Sequence, residues 1–401
     1  MTEKLYSAPI TSAGMKNALM RARQLTDLSW TPLTGTIPRI MRKDGERIYL
    51  YFNRGEEYKG IPYSSVYEKN TYVGSNISIE TFISAVCNPN SFLYTRDLRK
   101  ECNEPKAVPF YGTVCSKFAQ TALGINENYN TAHFGKIDGM RKIFSAGGYS
   151  AEDLERCDIL LWAGKHTAMV TDILKNENGE ILYIEVSEET TNPSMRRKKW
   201  STEEFFSHFE KYDVLRYEYL DKVPYEPSSF VNVFDEKHPL DSRKYDVLTR
   251  RGDKCNVPAG EEITLDVLTD GWEKYRIFKD GSLFSEAEVS KEINLGCLGP
   301  GDYRVLLVSG EKESRPCFFC ITECALKAES DGEGKVRISY SYSSGKPIWV
   351  QVGEIGESYF SKTDAAGDEV VCYDLSAVKA KKVRVGFKNE YGIYVSEYET
   401  F

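Results

Sequence analysis

The sequence predicts an α+β region over residues 1–230, followed by an all-β region of two sandwich modules over residues 240–325 and 326–401. In the first region, stretches with apolar residues at helical spacing precede stretches that alternate at strand spacing. In the second, short alternating stretches are separated by Gly-, Pro- and Asp-rich turns, which is typical of β-sandwiches. The chain is long enough for each part to bury its own core.

The composition is that of a soluble globular protein and excludes several functional classes. The charged fraction is 28%, the hydrophobic fraction 41% and the net charge -8. A nucleic-acid binder would need a basic face, so we expect no nucleic-acid partner. No apolar run approaches the roughly 20 residues that span a bilayer, so we expect no membrane-spanning segment. Residues 1–20 lack the apolar core of a signal peptide.

Cysteine usage indicates neither a disulfide framework nor a metal site. The ten cysteines are scattered through long segments instead of being packed into a small scaffold. Cys317, Cys320 and Cys324 lie in or beside a predicted strand at 316–322, where residues three apart point to opposite faces. No second Cys/His pair with zinc-finger spacing accompanies them. We therefore expect buried thiols there, and we expect that neither a metal nor an organic cofactor is required.

The N-terminal elements begin with an amphipathic helix over residues 13–30 and a strand over 47–52. A turn at 60–65 then presents Tyr63. A second helix is predicted from an N-cap at Ser78 to about residue 86, because Ser is a favoured capping residue and apolar side chains follow at helical spacing.

A tight turn at residues 109–114 leads into the helix on which the functional prediction depends. Gly112 supplies a position without Cβ, and Thr113 is expected to cap the first helical turn through its hydroxyl. Cys115 then lies in that first turn, where free amide groups and the helix dipole favour a thiolate. Gly124 is the expected stop. The alternative is that Cys115 packs on the apolar face of the helix, as free cysteines commonly do.

Three strands are predicted after a short helix near residues 140–144, and they are expected at 158–162, 165–174 and 181–187. The pair Asn178-Gly179 is a strong signal for a hairpin between the last two. A helix capped by Ser201 follows. In the middle strand, alternation places His166 and Asp172 on one face, and the hairpin would set Asp172 opposite Glu185.

Only His166 among the four histidines stands at the rim of the predicted sheet, because it opens a strand directly after Ala163-Gly164-Lys165. The other three, His133, His208 and His238, are interpreted as surface or packing residues. A thiol nucleophile needs a base that holds it as thiolate and later protonates the leaving group. A Cys at a helix N-terminus that faces a His at the rim of a sheet is the papain-like arrangement.

The sequence resembles the NlpC-type cysteine peptidases of the papain-like superfamily over roughly residues 13–200. The family pattern is a Pro-Tyr turn, a Cys-Ser helix start, an Asp-Ile strand, a His-bearing strand and a further strand with a third polar residue. The corresponding segments here are Pro62-Tyr63, Cys115-Ser116-Lys117-Phe118, Asp158-Ile159-Leu160-Leu161-Trp162, His166-Thr167-Ala168-Met169-Val170 and Tyr183-Ile184-Glu185-Val186-Ser187. The implied fold is therefore an α+β papain-like domain.

The resemblance implies Cys115 as nucleophile, His166 as base and Glu185 as the third, orienting residue. The family more often has His at the third position. A carboxylate beside the imidazole also makes chemical sense, since it stabilises the imidazolium of a Cys⁻/His⁺ pair. Asp172 is a reserve for the orienting role.

The oxyanion and substrate contacts are implied at Tyr63 and Ser116, together with the backbone N–H of Cys115. Because the gap between Tyr63 and Cys115 is longer than the family's usual gap, Tyr111 is an alternative for the tyrosine. The family also usually has Asp immediately before the Cys, where this chain has Val114.

The implied activity is cleavage of an amide bond in peptidoglycan stem peptides, next to a D-configured glutamyl residue. Such a substrate favours a secreted or cell-surface protein whose leader is absent from this numbering, while a cytoplasmic location stays open. The expected partner is peptidoglycan or a small peptide substrate. One alternative is an amidase or acyltransferase that uses the same triad on a non-wall substrate, including lipid amides. The other is a catalytically silent protein that binds or adheres through its β modules.

The two C-terminal modules, of roughly 75–85 residues each, resemble immunoglobulin-like or fibronectin-like sandwiches. Neither contains a cluster of titratable residues, so we interpret both as non-catalytic spacers or tethers to a wall or surface. The basic run at residues 196–199 is interpreted as a solvated face, with binding of a carboxylate-rich substrate as the alternative.

Overall fold

The computed structural model describes most of the chain, and every structural statement below refers to the described residues. These are residues 4–43, 46–68, 71–72, 82–83, 85–86, 89, 91–101, 108–125, 129–191, 196–223, 248–250, 256–314, 316–330, 332, 335–353, 359–361, 371–374, 381–389 and 392–401. The expected N-cap at Ser78, His238 and the predicted junction between the α+β and all-β regions lie outside them.

The helices whose bounds are described all belong to the N-terminal region. They are α1 Ala13–Asp27, α2 Phe92–Thr95, α3 Leu98–Glu101, α4 Cys115–Leu123 and α5 Thr202–Phe209, with 3-10 turns at Phe134–Lys136, Ala151–Asp153 and Leu220–Lys222. Helix α1 begins at an N-cap, Ser12, whose hydroxyl accepts from the amide of Met15 at 3.1 Å. Ser201 and Glu204 form the expected capping box at α5.

Thirteen strands precede residue 224 in the described part of the chain. They are β1 Tyr6–Ser7, β2 Ser29–Trp30, β3 Pro38–Lys43, β4 Glu46–Tyr51, β5 Tyr58–Lys59, β6 Tyr67–Glu68, β7 Thr71–Tyr72, β8 Met140–Phe144, β9 Ile159–Trp162, β10 His166–Lys175, β11 Ile181–Glu188, β12 Arg196–Ser201 and β13 Asp213–Tyr217. The main sheet is antiparallel, in the order β12-β11-β10-β9-β13-β8, and β1 pairs with β10.

The expected helix near residues 140–144 is wrong, because this segment is strand β8. Its apolar residues fit either element at this length, and pairing with β13 decides in favour of the strand.

The main sheet buries a core on each face. On one face, Met169 of β10 packs in a cluster with Phe118 of α4 and Ala22 of α1. On the other, Val170 packs in a cluster with Phe205 of α5. Alternation along β10 thus sends consecutive side chains to different cores, and the N-terminal region is α+β as the sequence predicts.

The all-β prediction for the C-terminal region is confirmed in the described residues. Its first nine strands are β14 Leu248–Arg250, β15 Asn256–Pro258, β16 Glu262–Val267, β17 Lys274–Lys279, β18 Ser282–Glu288, β19 Glu292–Cys297, β20 Gly301–Ser309, β21 Lys312–Glu313 and β22 Cys317–Thr322. They form the sheets β14-β16-β19 and β15-β22-β20-β17-β18, with β21 on β20. Both sheets contribute to one core, in which Leu265 and Val305 are fully buried.

The remaining strands repeat this two-sheet plan. They are β23 Cys324–Ser330, β24 Lys335–Tyr342, β25 Lys346–Val352, β26 Tyr359–Ser361, β27 Val371–Asp374, β28 Lys382–Asn389, β29 Gly392–Val395 and β30 Glu399–Thr400. Sheet β23-β24-β27 and sheet β26-β25-β28-β29 share a core that includes Ile338 and Val385. The exact module boundaries stay a prediction. Within the described ranges, no helix is long and apolar enough to cross a membrane.

The cysteines of β22 face opposite ways, as the strand prediction requires. Cys317 packs partly buried against the core of the first sandwich, whereas Cys320 is fully buried and belongs to the cluster that contains Phe118. Cys324 is half-buried at the start of β23. Among the described residues, no group of three His, Cys, Asp or Glu side chains is arranged to hold a metal ion.

Candidate active site

Helix α4 begins at Cys115, a residue that is 9% exposed. The N-cap is Val114, in extended conformation, and no side chain caps the helix. The expected cap by Thr113 is therefore wrong; its hydroxyl is buried and has no hydrogen-bond partner in the described structure. Since the first amide groups of a helix have no intrahelical acceptor, they stay available to an anion beside Cys115. Gly124 ends the helix with a left-handed φ of 74°, as expected.

Close packing of two backbone segments sets the position of Cys115. A short parallel bridge joins Tyr63 to Thr113, and the Ser64 amide donates to the Thr113 carbonyl at 2.8 Å. Gly112 is required here by space: a Cβ would lie 2.4 Å from the Pro62 carbonyl oxygen. The bridge therefore brings Tyr63 to within two residues of Cys115 along the paired backbones.

The two candidate tyrosines differ in environment. Tyr63 is half-buried at the bridge, while Tyr111 is 1% exposed and packs edge-on against Phe110 at 4.8 Å. Ser116 is buried in the first turn of α4, and its backbone carbonyl accepts from Gln120. Tyr63 is thus the candidate whose backbone pairs beside the thiol, whereas Tyr111 is a core residue.

His166 is the first residue of β10, as expected. A turn through Gly164, with a φ of 71°, carries the chain from β9 back into β10 and sets His166 opposite Trp162. Tyr212 packs edge-on against the imidazole, with ring centroids 6.2 Å apart. The imidazole is held at the rim of the sheet with 21% of its side chain exposed.

The structure brings His166 together with Cys115, which lies 51 residues earlier in the chain. The Cys115 side chain is within hydrogen-bonding reach of the imidazole. The ring nitrogen Nε2 is 2.7 Å from Oε2 of Glu188.

The carboxylate that contacts His166 is Glu188 instead of the expected Glu185. Ala168 pairs with Glu188 across the ladder, and His166 lies two residues before Ala168, so the imidazole and the Glu188 carboxylate share a face. Glu185 lies three residues before Glu188 on the same strand, so its side chain projects from the other face. There its Oε1 accepts from the Thr171 hydroxyl at 3.2 Å.

Asp172 does pair directly with Glu185 across the hairpin, as predicted, but it does not share a face with His166. An irregularity in the ladder at Thr171 adds one residue to β10 and reverses the alternation beyond it. Asp172 instead binds the guanidinium of Arg156 and accepts from Ser7 at 2.6 Å. These contacts place it outside the Cys115–His166 pair.

Arg196 holds the other oxygen of Glu188. Its Nε and Nη2 lie 2.8 and 2.7 Å from Oε1, and the two residues are paired between β11 and β12. Arg197 is also paired, with Asp27 at 3.2 Å. The solvated-face interpretation of residues 196–199 therefore fits Lys198 and Lys199, which are exposed, but not these two arginines.

The charges of this site depend on one another. Burial alone would lower the pKa of His166, but hydrogen bonds and charges from Cys115 and Glu188 outweigh it and raise the pKa to about 9. Burial alone would raise the pKa of Glu188, but His166 and Arg196 outweigh it and lower the pKa to about 2. At neutral pH the site therefore holds an imidazolium beside the Glu188 carboxylate, and Cys115 acts on the same ring.

The other described histidines have structural contacts, in agreement with their interpretation. His208 stacks on Trp200 with centroids 4.5 Å apart, and burial lowers its pKa. His133 Nδ1 lies 3.0 Å from the side-chain oxygen of Asn130 in a loop.

Sequence reasoning missed Glu188, Arg196 and a fully buried neighbour, Glu189. The alternation of side chains along a strand was the available signal for Glu188. The residue that pairs with Ala168 must lie on the same face as Ala168, and His166, two residues earlier, lies on that face too. Applying it required the register of the hairpin, which the irregularity at Thr171 shifts.

Comparisons with known proteins identify no family. No family model matches the chain, and no curated protein matches it. Solved structures with local similarity include the CD2-binding domain of CD58, at 8% identity over 36% of this chain and 95% of that one, with a TM-score of 0.22. Fibronectin(III)-like modules of Clostridium thermocellum CbhA match at 13% identity over 38% and 90%, with a TM-score of 0.18. Titin Ig tandem domains match at 12% identity over 38% and 94%, also at 0.18. At TM-scores this low, the overlaps establish neither fold nor function.

Proposed function

We propose that this protein is a cysteine hydrolase that cleaves an amide bond through an acyl-thioester on Cys115. One observation carries the proposal: three side chains meet at the rim of the sheet, where Cys115 and Glu188 both interact with His166 and the Glu188 carboxylate lies 2.7 Å from Nε2. These are the nucleophile, base and orienting carboxylate that covalent catalysis needs. A structural role for these three side chains would not require a thiol at a helix N-terminus.

In the proposed reaction the Cys115 sulfur forms a bond to the carbonyl carbon, and the carbonyl oxygen takes up the electron pair. The amide groups at the start of α4, together with Tyr63, would stabilise this oxyanion. His166 gives its proton to the departing amine as the C–N bond breaks. His166 then removes a proton from water, the hydroxide attacks the thioester, and the acid leaves with regeneration of the thiolate.

The proposed substrate class is a peptidoglycan stem peptide, cut next to a D-configured glutamyl residue, as the likeness to NlpC-type peptidases implies. The two sandwich modules, which we propose to be immunoglobulin-like or fibronectin-like, would tether the hydrolase to a wall or surface. This assignment implies a secreted or surface-exposed protein.

The test is to incubate wild type and Cys115→Ala with purified peptidoglycan and to identify released products by mass. We expect muropeptide fragments from the wild type and a fall of about 10⁴-fold or more in the variant, because the nucleophile is lost. Cys297→Ala is the matched control, since Cys297 is an exposed thiol far along the sequence on β19. Amide hydrolysis of other substrates without muropeptide release would indicate the non-wall amidase or acyltransferase.

Alkylation with iodoacetamide, mapped by peptide mass, separates an enzyme from a binding protein. Burial raises the pKa of Cys157 to about 12 and those of Cys320 and Cys324 to about 11, so these thiols serve as slow internal references. We expect Cys115 to react faster than these three and faster than Cys297. Uniform reactivity would overturn the hydrolase and favour a catalytically silent protein that acts through its β modules.

A further inference from the structure

A second carboxyl group lies at the site and has no part in the mechanism above. Glu189 follows Glu188 directly and is 0% exposed. Neither of its carboxyl oxygens meets the geometry of a hydrogen bond with any described residue, although the backbone N–H of Thr190 lies close enough to favour the charged form. A fully buried acid with unsatisfied oxygens is costly, and such groups persist where they have a function.

Register places this acid on the thiol side of the sheet. Glu188 shares the face of His166, so alternation directs the next residue to the opposite face, where Met169 packs with helix α4. Thr167 projects from β10 to that same face, and its hydroxyl is also buried without a partner. Glu189 interacts electrostatically with Cys115, the first residue of α4.

The surroundings keep Glu189 protonated. The titratable groups that act on Glu189 are Cys115 on α4 and Glu188 on β11. Glu188 already takes up the positive charges of His166 and Arg196 through its two oxygens. Burial, followed by the negative charge of Cys115, raises the pKa of Glu189 well above 4.5. A buried acid with these neighbours is a hydrogen-bond donor instead of an anion.

We propose that Glu189 is a further residue of the catalytic site, a neutral carboxylic acid that donates its O–H hydrogen bond to Cys115 when the sulfur carries negative charge. This inference rests on the proposed function. No proton is transferred in this role. The bond forms as charge develops, since catalytic hydrogen bonds are often long in the free enzyme and tighten in the complex.

The experiment compares Glu189→Gln with Glu189→Met in the full chain. Both replacements have a similar volume to Glu, but only Gln retains a donor. We expect the rate of Cys115 alkylation at neutral pH to stay within about threefold of wild type in Glu189→Gln, and to fall about 10-fold or more in Glu189→Met, as for loss of one hydrogen bond to a charged group. The pH midpoint of alkylation should rise by about one unit in Glu189→Met only.

A Glu189 that does not act on Cys115 would give a different result. The rate and the pH midpoint of Cys115 alkylation would then not move in Glu189→Met. If Cys115 of the wild type reacts no faster than Cys297, the proposed function and this inference both fail. If it reacts fast in the wild type and equally fast in Glu189→Met, only the role of Glu189 is overturned.

Infrared difference spectroscopy covers the case in which Glu189→Met does not fold. The wild type at neutral pH should show the carbonyl stretch of a buried protonated carboxylic acid, and Glu189→Gln should lack it. Absence of that band from the wild type would overturn the inference, because an ionised Glu189 has no proton to donate.

Discussion

Two Arg–Glu pairs, one at the rim of the N-terminal sheet and one on the first sandwich, are alike in contact distance and in the exposure of the arginine, but differ in the burial of the carboxylate. Arg196 lies 2.7 Å from Glu188 and Arg276 lies 2.6 Å from Glu286, and the two arginine side chains are similarly exposed, at 37% and 35%. The carboxylates differ: that of Glu188 is 2% exposed and that of Glu286 is 30% exposed.

The comparison indicates that burial of the carboxylate, and not contact distance, determines how much such a pair contributes to stability. Water can replace Arg276 at Glu286, so an exposed pair of this kind adds little stability. Glu188 has no access to water, so each of its oxygens must be satisfied by the protein, and His166 and Arg196 do so. The charge of the rim is thereby fixed in place, next to the thiol.

The largest expected effect on stability appears when Glu188 and Glu286 are each replaced in a separate variant. We expect Glu188→Ala to lower the free energy of unfolding by about 3–5 kcal/mol, because it leaves buried charge without a partner. Glu286→Ala should change it little. Urea denaturation of both variants measures the difference, and equal effects would contradict the role of burial.

Amide hydrolysis should also distinguish the two carboxylates of β11, Glu188 and Glu185. Glu188→Gln should reduce amide hydrolysis by about 10²- to 10⁴-fold, since the imidazolium loses its counter-charge and its orienting partner. Glu185→Gln, on the other face of the strand, should stay close to wild type. A larger loss in Glu185→Gln would restore the sequence-based assignment.

A smaller effect is expected in the pH dependence of stability. The folded protein binds the His166 proton more tightly than the unfolded chain, since its pKa rises from 6.5 to about 9. The protonated imidazole therefore contributes stability that is fully present below pH 6.5 and is lost as the pH rises through about 9, a contribution on the order of 3 kcal/mol. For Glu188 the sign is opposite: its contribution is lost as the pH falls from 4.5 towards 2.

Chemical denaturation of wild type and His166→Gln across this range is the measurement. The stability difference between them should shrink between pH 6.5 and about 9. A constant difference over that interval would show that His166 has no buried charge partner.

The smallest expected effect concerns the turn that presents the thiol. Gly112→Ala should lower the free energy of unfolding by about 1–3 kcal/mol and slow Cys115 alkylation, because the new Cβ would clash with the Pro62 carbonyl at 2.4 Å. Gly35→Ala is the matched control, since nothing lies within 4 Å of its Cβ position. Thermal unfolding and alkylation rates compare the two, and equal behaviour would mean that the Tyr63–Thr113 bridge does not position Cys115.

Much of the local structure could be predicted from the sequence. The start of α1, the capping box at Ser201, the stop at Gly124 and the strand opened by His166 all follow from side chains within a few residues of each feature. The end of α1 was expected at residue 30, but the helix ends at Asp27 and Ser29–Trp30 is strand β2. The helix expected at residues 140–144 was wrong, because the structure of that segment depends on its pairing with β13, which is distant in sequence.

The sequence by itself determined that Cys115 begins a helix and that His166 begins a strand, since glycine positions, helical spacing and alternation are local properties. Only the tertiary structure decided which carboxylate contacts the imidazole. That choice depends on strand register, and one extra residue at Thr171 turns every later side chain of β10 to the other face. The burial of Glu188 and Glu189, and with it the charge of the site, arises only when the sheet and helix α4 pack together.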